Sequence, residues 1–175
     1  MAHTSLRDRT PEGCPSGEAD TSRFSEGGVQ MSVHWRPHVL KAPGSVSPHE
    51  LERLESAWGV KLPDDYKRVV SMYQGMTPEP NGFRVGRGDN ALGVLLTVSE
   101  HEGRESYSIL NSYEVIRSHV PSGIFPFART PGGEDVCFDY RGSPEQPRIV
   151  LVSVEGSVHP VAHGFQEFMD GLYDD

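Results

Sequence analysis

Large apolar residues are sparse before residue 31 and recur at regular intervals only after it. The segment MAHTSLRDRTPEGCPSGEADTSRFSEGGVQ carries no sustained period and too little apolar surface to offset the entropy of ordering the chain. The pattern predicts a disordered polar tail over residues 1–30 and a single folded domain over 31–175. Met31 opens a more apolar stretch, MSVHWRPHVL, and is a candidate start of translation.

Two helices are expected next. In SPHELERLESAWG, Ser47 and Glu50 stand in capping-box relation, Pro48 suits the first helical position and Gly59 supplies a stop. Leu51, Leu54, Ala57 and Trp58 then share one face, which is expected to be core. In LPDDYKRVVSMYQG, Tyr66, Val69, Val70 and Tyr73 repeat at helical spacing, Asp64 and Asp65 lie at the positive end of the dipole, and Gly75 ends the helix. MTPEPNG reads as a loop. Short apolar segments follow, FRVG, LGVLLTV, IFPFA, VCFDY and RIVLVSV, and these read as strands.

A third helix is expected within SYSILNSYEVIRSHV, where Leu110, Tyr113, Ile116 and Val120 keep three- and four-residue spacing. The closing GFQEFMDGLYDD sets Phe165, Phe168, Met169 and Leu172 on one stripe, predicting a terminal helix against the sheet. Helices first, strands with a helical interruption, and a closing helix make the segregated α+β order rather than alternating βαβ.

Composition adds bounds. The 175 residues suit one domain, and a formal net charge of −9 disfavours a phosphate-backbone partner while matching a basic protein. No stretch approaches a membrane span, and no secretory apolar region opens the chain, so a cytoplasmic protein without membrane contact is expected. The two cysteines, Cys14 and Cys137, are far apart and give no disulfide framework.

Candidate chemistry concentrates in FARTPGGEDVCFDYR, residues 127–141. A phosphate cradle needs backbone N–H groups at a helix N-terminus. Here Gly132-Gly133 is followed by Glu134 and Asp135, which repel anions, and then by a strand. A metal site needs converging ligands. Asp135, Cys137 and Asp139 would share one face of a strand, with Val136, Phe138 and Tyr140 on the other, and the periodicity leaves open which face is core. His159 and His163 are spaced for a helical turn, but Pro160 and Gly164 oppose one, and Pro37 does the same for His34 and His38. The turn reading needs only that Thr130 to Glu134 join two strands, presenting Glu134, with Asp135 at its shoulder, to solvent. RGD at 87–89 and the neighbouring GRG read as chance occurrences in a flexible loop.

Together LERLESAWGVKLPDDYKRVVSMYQG, IFPFARTPGGEDVCFDY and VAHGFQEFMDGL resemble the SUKH superfamily, the Smi/Knr-type domains of bacterial toxin-immunity proteins and of a fungal regulator of cell-wall assembly. The resemblance spans roughly residues 47–173. It implies an α+β fold, with a mixed or antiparallel sheet of about five to six strands and N- and C-terminal helices packed on it. It further implies a non-catalytic role in gripping other proteins, often toxins. Leu62, Pro63 and Tyr66 match the helix-joining signature, Gly133 and Asp135 the turn, and Asp139 the acid closing the next strand. His163-Gly164 stands where the family often has a Ser cap, and SEHEGRESYS matches poorly.

The leading expectation is therefore an immunity or antitoxin-like binding module whose acids, Asp64, Asp65, Glu134, Asp135 and Asp139, face a basic toxin domain. No catalytic residue, metal or cofactor is expected. A regulatory scaffold of Smi/Knr type is one alternative. A small hydrolase using Cys137 with a histidine is another, and it requires an exposed thiol of lowered pKa.

Overall fold

The computed structural model describes residues 32–38, 44–100 and 105–174; the expected tail over 1–30, and Met31, lie outside the described residues. The elements run β1 (His34–Pro37), α1 (Pro48–Trp58), α2 (Asp64–Tyr73), β2 (Met76–Glu79), β3 (Gly82–Val85), β4 (Gly88–Ala91) and β5 (Val94–Leu95). They continue through α3 (Ile109–Ile116), β6 (Ile124–Arg129), β7 (Asp135–Asp139), β8 (Arg148–Val152), β9 (Val158–Ala162) and α4 (Phe165–Asp170). The fold is α+β: a five-stranded antiparallel sheet ordered β5-β6-β7-β8-β9, with two-stranded pairs β1-β2 and β3-β4.

Local chemistry sets the helix ends. The Ser47 side chain accepts the Glu50 N–H at 3.2 Å while Glu50 accepts the Ser47 N–H at 2.8 Å, so two of the orphan donors of α1 are satisfied reciprocally. Gly59 closes α1 in the left-handed region, φ 68°, and its N–H donates to the Glu55 carbonyl. α2 starts after Pro63 and ends at Tyr73, with Gln74 capping it one residue before the expected Gly75.

The main core lies between one face of the sheet and helices α1, α2 and α4. Tyr66 is its hub, meeting Phe127, Phe138 and Phe165 edge-on at 5.8, 5.0 and 5.4 Å, while Phe127 stacks on Phe138 at 4.4 Å. Each ring removed from water contributes about 1.5–3 kcal/mol, and edge-on contact adds to that. The α4 stripe docks as expected, with Phe165, Phe168, Met169 and Leu172 all buried.

The sheet's second face is covered too, by Ile116 of α3 and by Val120 beyond it. These pack with Ile124, Cys137, Val150 and Val152 in a separate cluster. Both faces of β7 are therefore buried, which is why its periodicity could not indicate the core side.

A bulge in β6 decides what faces what. Pro126 pairs with Cys137 and Ala128 with Val136, leaving Phe127 as the extra residue. Strict alternation would send Arg129 to the same side as Phe125 and Phe127. The extra residue turns it to the opposite side, in register with Asp135.

Several expectations are corrected. MTPEPNG is not a loop, since its first four residues form β2 against β1. The flexible loop expected around RGD is the tight β3-β4 turn, with Gly86 at φ 61° and strand β4 starting at Gly88. LGVLLTV contributes only two ladder residues, Val94 and Leu95, and just before them the Gly93 N–H donates to the Arg129 carbonyl at 2.9 Å, an approach that leaves no room for a Cβ. β9 was not expected, and its Pro160 is tolerated because it lies on an edge strand.

Candidate protein-binding surface

The turn between β6 and β7 carries no cradle. Thr130 N–H donates to the Glu134 carbonyl at 2.9 Å, Gly133 N–H returns to Thr130 at 3.0 Å, and Gly133 takes φ 87°, a conformation that strains any side chain. The glycines serve the hairpin, and strand β7 follows directly. Leu62 and Tyr66 of the helix-joining signature are buried core residues, so their role is structural.

The five candidate acids do not form one patch. Asp64 is exposed and pairs with Lys67 at 3.4 Å, while the Asp65 carboxylate accepts the Tyr66 N–H at 2.9 Å. Glu134 is half-buried and accepts from the Asn90 amide at 2.7 Å. Tyr140, at the other end of β7, reaches the α1-α2 link through its hydroxyl, which donates to the Lys61 carbonyl at 2.6 Å. Six residue steps of extended chain separate Glu134 from Tyr140, about 20 Å at ~3.3 Å per residue. Asp64 and Asp65 lie just beyond that link, at the Tyr140 end.

Asp135 and Asp139 are held internally. Asp135, expected at the solvent shoulder of the turn, is only 6% exposed and accepts from Arg129 at 3.0 Å, with Arg129 also donating to the Ser112 hydroxyl and the Ser106 carbonyl. The β6 bulge makes that pairing possible. Burial pushes the Asp135 carboxyl above its ordinary value, and Arg129 only partly offsets this. Asp139, 1% exposed, accepts two side-chain bonds from Arg141 and one from Arg148, at 2.9 to 3.1 Å. Burial would raise Asp139 as well, but these bonds and the Arg141 N–H outweigh it and hold the carboxyl below the usual aspartate range. The apparent row of ligands on this face is thus two arginine-bound carboxylates flanking a thiol. Cys137 is fully buried, and burial next to Asp135 and Asp139 pushes its thiol well up, which removes the nucleophile that the cysteine hydrolase requires.

A groove of about 760 Å³ opens at the Tyr140 end, between the last turns of α1, the link over 59–61 and the loop after β7. Val60, Tyr140 and Pro144 supply apolar lining, and Glu52 and Glu145 stand exposed along it. Behind them Glu55 braces the wall. Its carboxylate accepts the Leu62 N–H at 2.8 Å and takes Lys67 and Lys61 at 3.2 and 3.4 Å. Burial opposes ionisation of Glu55, but the Leu62 N–H and the two lysines prevail and its pKa is lowered. Lys67 bonds both Glu55 and Asp64, which links Asp64, but not Asp65, to the groove wall. Sequence reasoning missed Glu55, Glu52 and Glu145. Glu55 reaches partners 6, 7 and 12 residues away, and the only signal was an acid on the apolar side of an otherwise amphipathic helix.

Among the described residues no helix is long and apolar enough to cross a membrane. A profile of the SMI1/KNR4 family (SUKH-1) matches residues 45–171. No curated protein matches the chain.

Proposed function

The chain belongs to the SMI1/KNR4 family (SUKH-1), and on that premise we propose that it is a non-catalytic protein-binding module of the cytoplasm that neutralises a basic toxin domain as an immunity protein. The observation that carries the reading is the family match, which extends from the residue pair preceding the α1 cap to the end of α4. The charge supports it: a net −9 favours encounter with a basic surface and slows approach to another acidic one. Burial of Cys137 supports it further by removing the hydrolase version with the most definite chemistry.

The test is cross-linking and affinity capture of the tagged chain from its native cell, followed by co-expression with the captured protein. A specific partner whose toxicity is relieved at stoichiometric levels is the expected result. Capture of a partner with no toxic activity moves the chain to the regulatory scaffold, and measurable turnover of a small molecule that needs a residue of this chain sinks the reading.

A further inference from the structure

We infer that the groove between the α1 C-terminus and the loop after β7 is the docking site for a cationic side chain, carried on an arginine-bearing loop of the protein partner. The inference rests on the protein-binding reading and assigns it a place and a chemistry.

Three independent features converge there. Glu52 and Glu145, both exposed, line the groove with no charged partner among the described residues, whereas the neighbouring Glu55 is already saturated by the Leu62 N–H and two lysines. The groove wall also includes Ser56 and Gly59, the terminal turn of an eleven-residue helix. A helix C-terminus carries partial negative charge, and α1 has no basic residue in its last turn to offset it. Between these sources the lining is apolar, with Val60, Tyr140 and Pro144 suited to the aliphatic stem of a long basic side chain.

The groove's own cation does not fill this role. Lys61, whose side chain is 84% exposed, leans on Glu55, and the local set of Glu55, Asp64, Lys61 and Lys67 is neutral as a group. Arg141 and Arg148, at the two ends of the loop that carries Glu145, are both held on Asp139, so Glu52, Glu145 and the helix end face the open volume with no ion-pair partner of their own among the described residues. Arginine fits this better than lysine, because its planar fork can engage a carboxylate and main-chain carbonyls together and it is more weakly hydrated. At about 760 Å³ the groove admits the backbone that carries the side chain as well as the side chain itself.

The test uses the whole chain, isotopically labelled, titrated with the capped peptide Ac-Gly-Arg-Gly-Arg-Gly-NH2 and with its glutamate counterpart, followed by amide chemical shifts. Shifts centred on Gly59, Val60 and Glu145 are expected with the arginine peptide only. They should fade with added salt and weaken at least tenfold in a Glu52→Gln/Glu145→Gln variant whose melting is unchanged. Shifts centred elsewhere, equal response to the glutamate peptide, or full binding by the folded variant overturns the inference. A second arm uses the captured partner with a Glu52→Lys/Glu145→Lys variant, for which at least a tenfold loss of affinity is expected. A partner that binds this variant within twofold of the original chain overturns the groove assignment and leaves the protein-binding reading standing. If no specific partner is captured at all, the reading fails, and the groove assignment with it, whatever the peptide does.

Discussion

At the scale of single residues, buried polar groups separate into those that are satisfied and those that are not. Gln74 is 1% exposed, and its amide works in four directions: it donates to the Gly44 carbonyl and the Ser99 hydroxyl and accepts the Val98 and Ser99 N–H groups. Gln74→Leu should therefore cost about 2–3 kcal/mol in denaturant unfolding, since it strands buried backbone donors. Tyr66 is the opposite case. Its hydroxyl is fully buried with no hydrogen-bond partner among the described residues, and burial followed by the neighbouring Tyr140 pushes its pKa far up. Tyr66→Phe should keep the ring packing and leave stability unchanged or raise it by up to about 1 kcal/mol. A clear loss would show that the hydroxyl has a partner. Cys137 should resist alkylation in the native chain and react once guanidinium unfolds it, read by peptide mapping to separate it from Cys14.

Elements show how far pattern reading extends. The helix caps were legible because they depend on residues within three or four positions: Ser47, Pro48, Glu50 and Gly59 perform the roles their types suggest. Gly59→Ala should cost about 1 kcal/mol at φ 68°, although nothing lies within 4 Å of the added methyl, so the loss measures backbone strain rather than a clash. The fourth helix was legible from its stripe as well; the third was legible as a helix, but it ends at Ile116, short of Val120, and buries Ile109, Ser112 and Ile116 while Leu110 and Tyr113 are only half-buried. β1, β2, β4 and β9 were not, because short strands rich in Gly, Pro and polar residues carry no alternation, and their pairing partners supply the order. The β6 bulge was equally invisible. IFPFAR alternates acceptably without it, yet only the bulge brings Arg129 beside Asp135.

For the whole molecule, the buried carboxylates set opposing responses to acid. Asp139 has a depressed pKa, so the stability it contributes is full above the unfolded aspartate value of ~3.9 and is lost as pH falls through its folded value. Asp139→Asn should thus cost about 1–3 kcal/mol near neutrality, with the gap to the unmodified chain narrowing below about pH 4. Asp135 is raised, so its contribution is greatest below the unfolded value and declines as pH rises through the folded one, and Asp135→Asn should show the reverse trend. Urea unfolding from pH 3 to pH 7 checks both signs. These two acids illustrate the limit of the sequence for the candidate site. Charge and spacing marked five acids as equivalent, whereas burial turned two into internal ion pairs and strand length separated Glu134 from Asp64 and Asp65. The sequence by itself determined the helices, the hairpin turn, the α+β order and the family, because each rests on short-range periodicity, turn chemistry or motif order. Only the tertiary structure decided which carboxylates remain free, that both faces of β7 are covered, and that Glu52 and Glu145 meet the end of α1 across one groove. Solvation and charge pairing depend on which distant segments become neighbours, and that is settled by long-range packing.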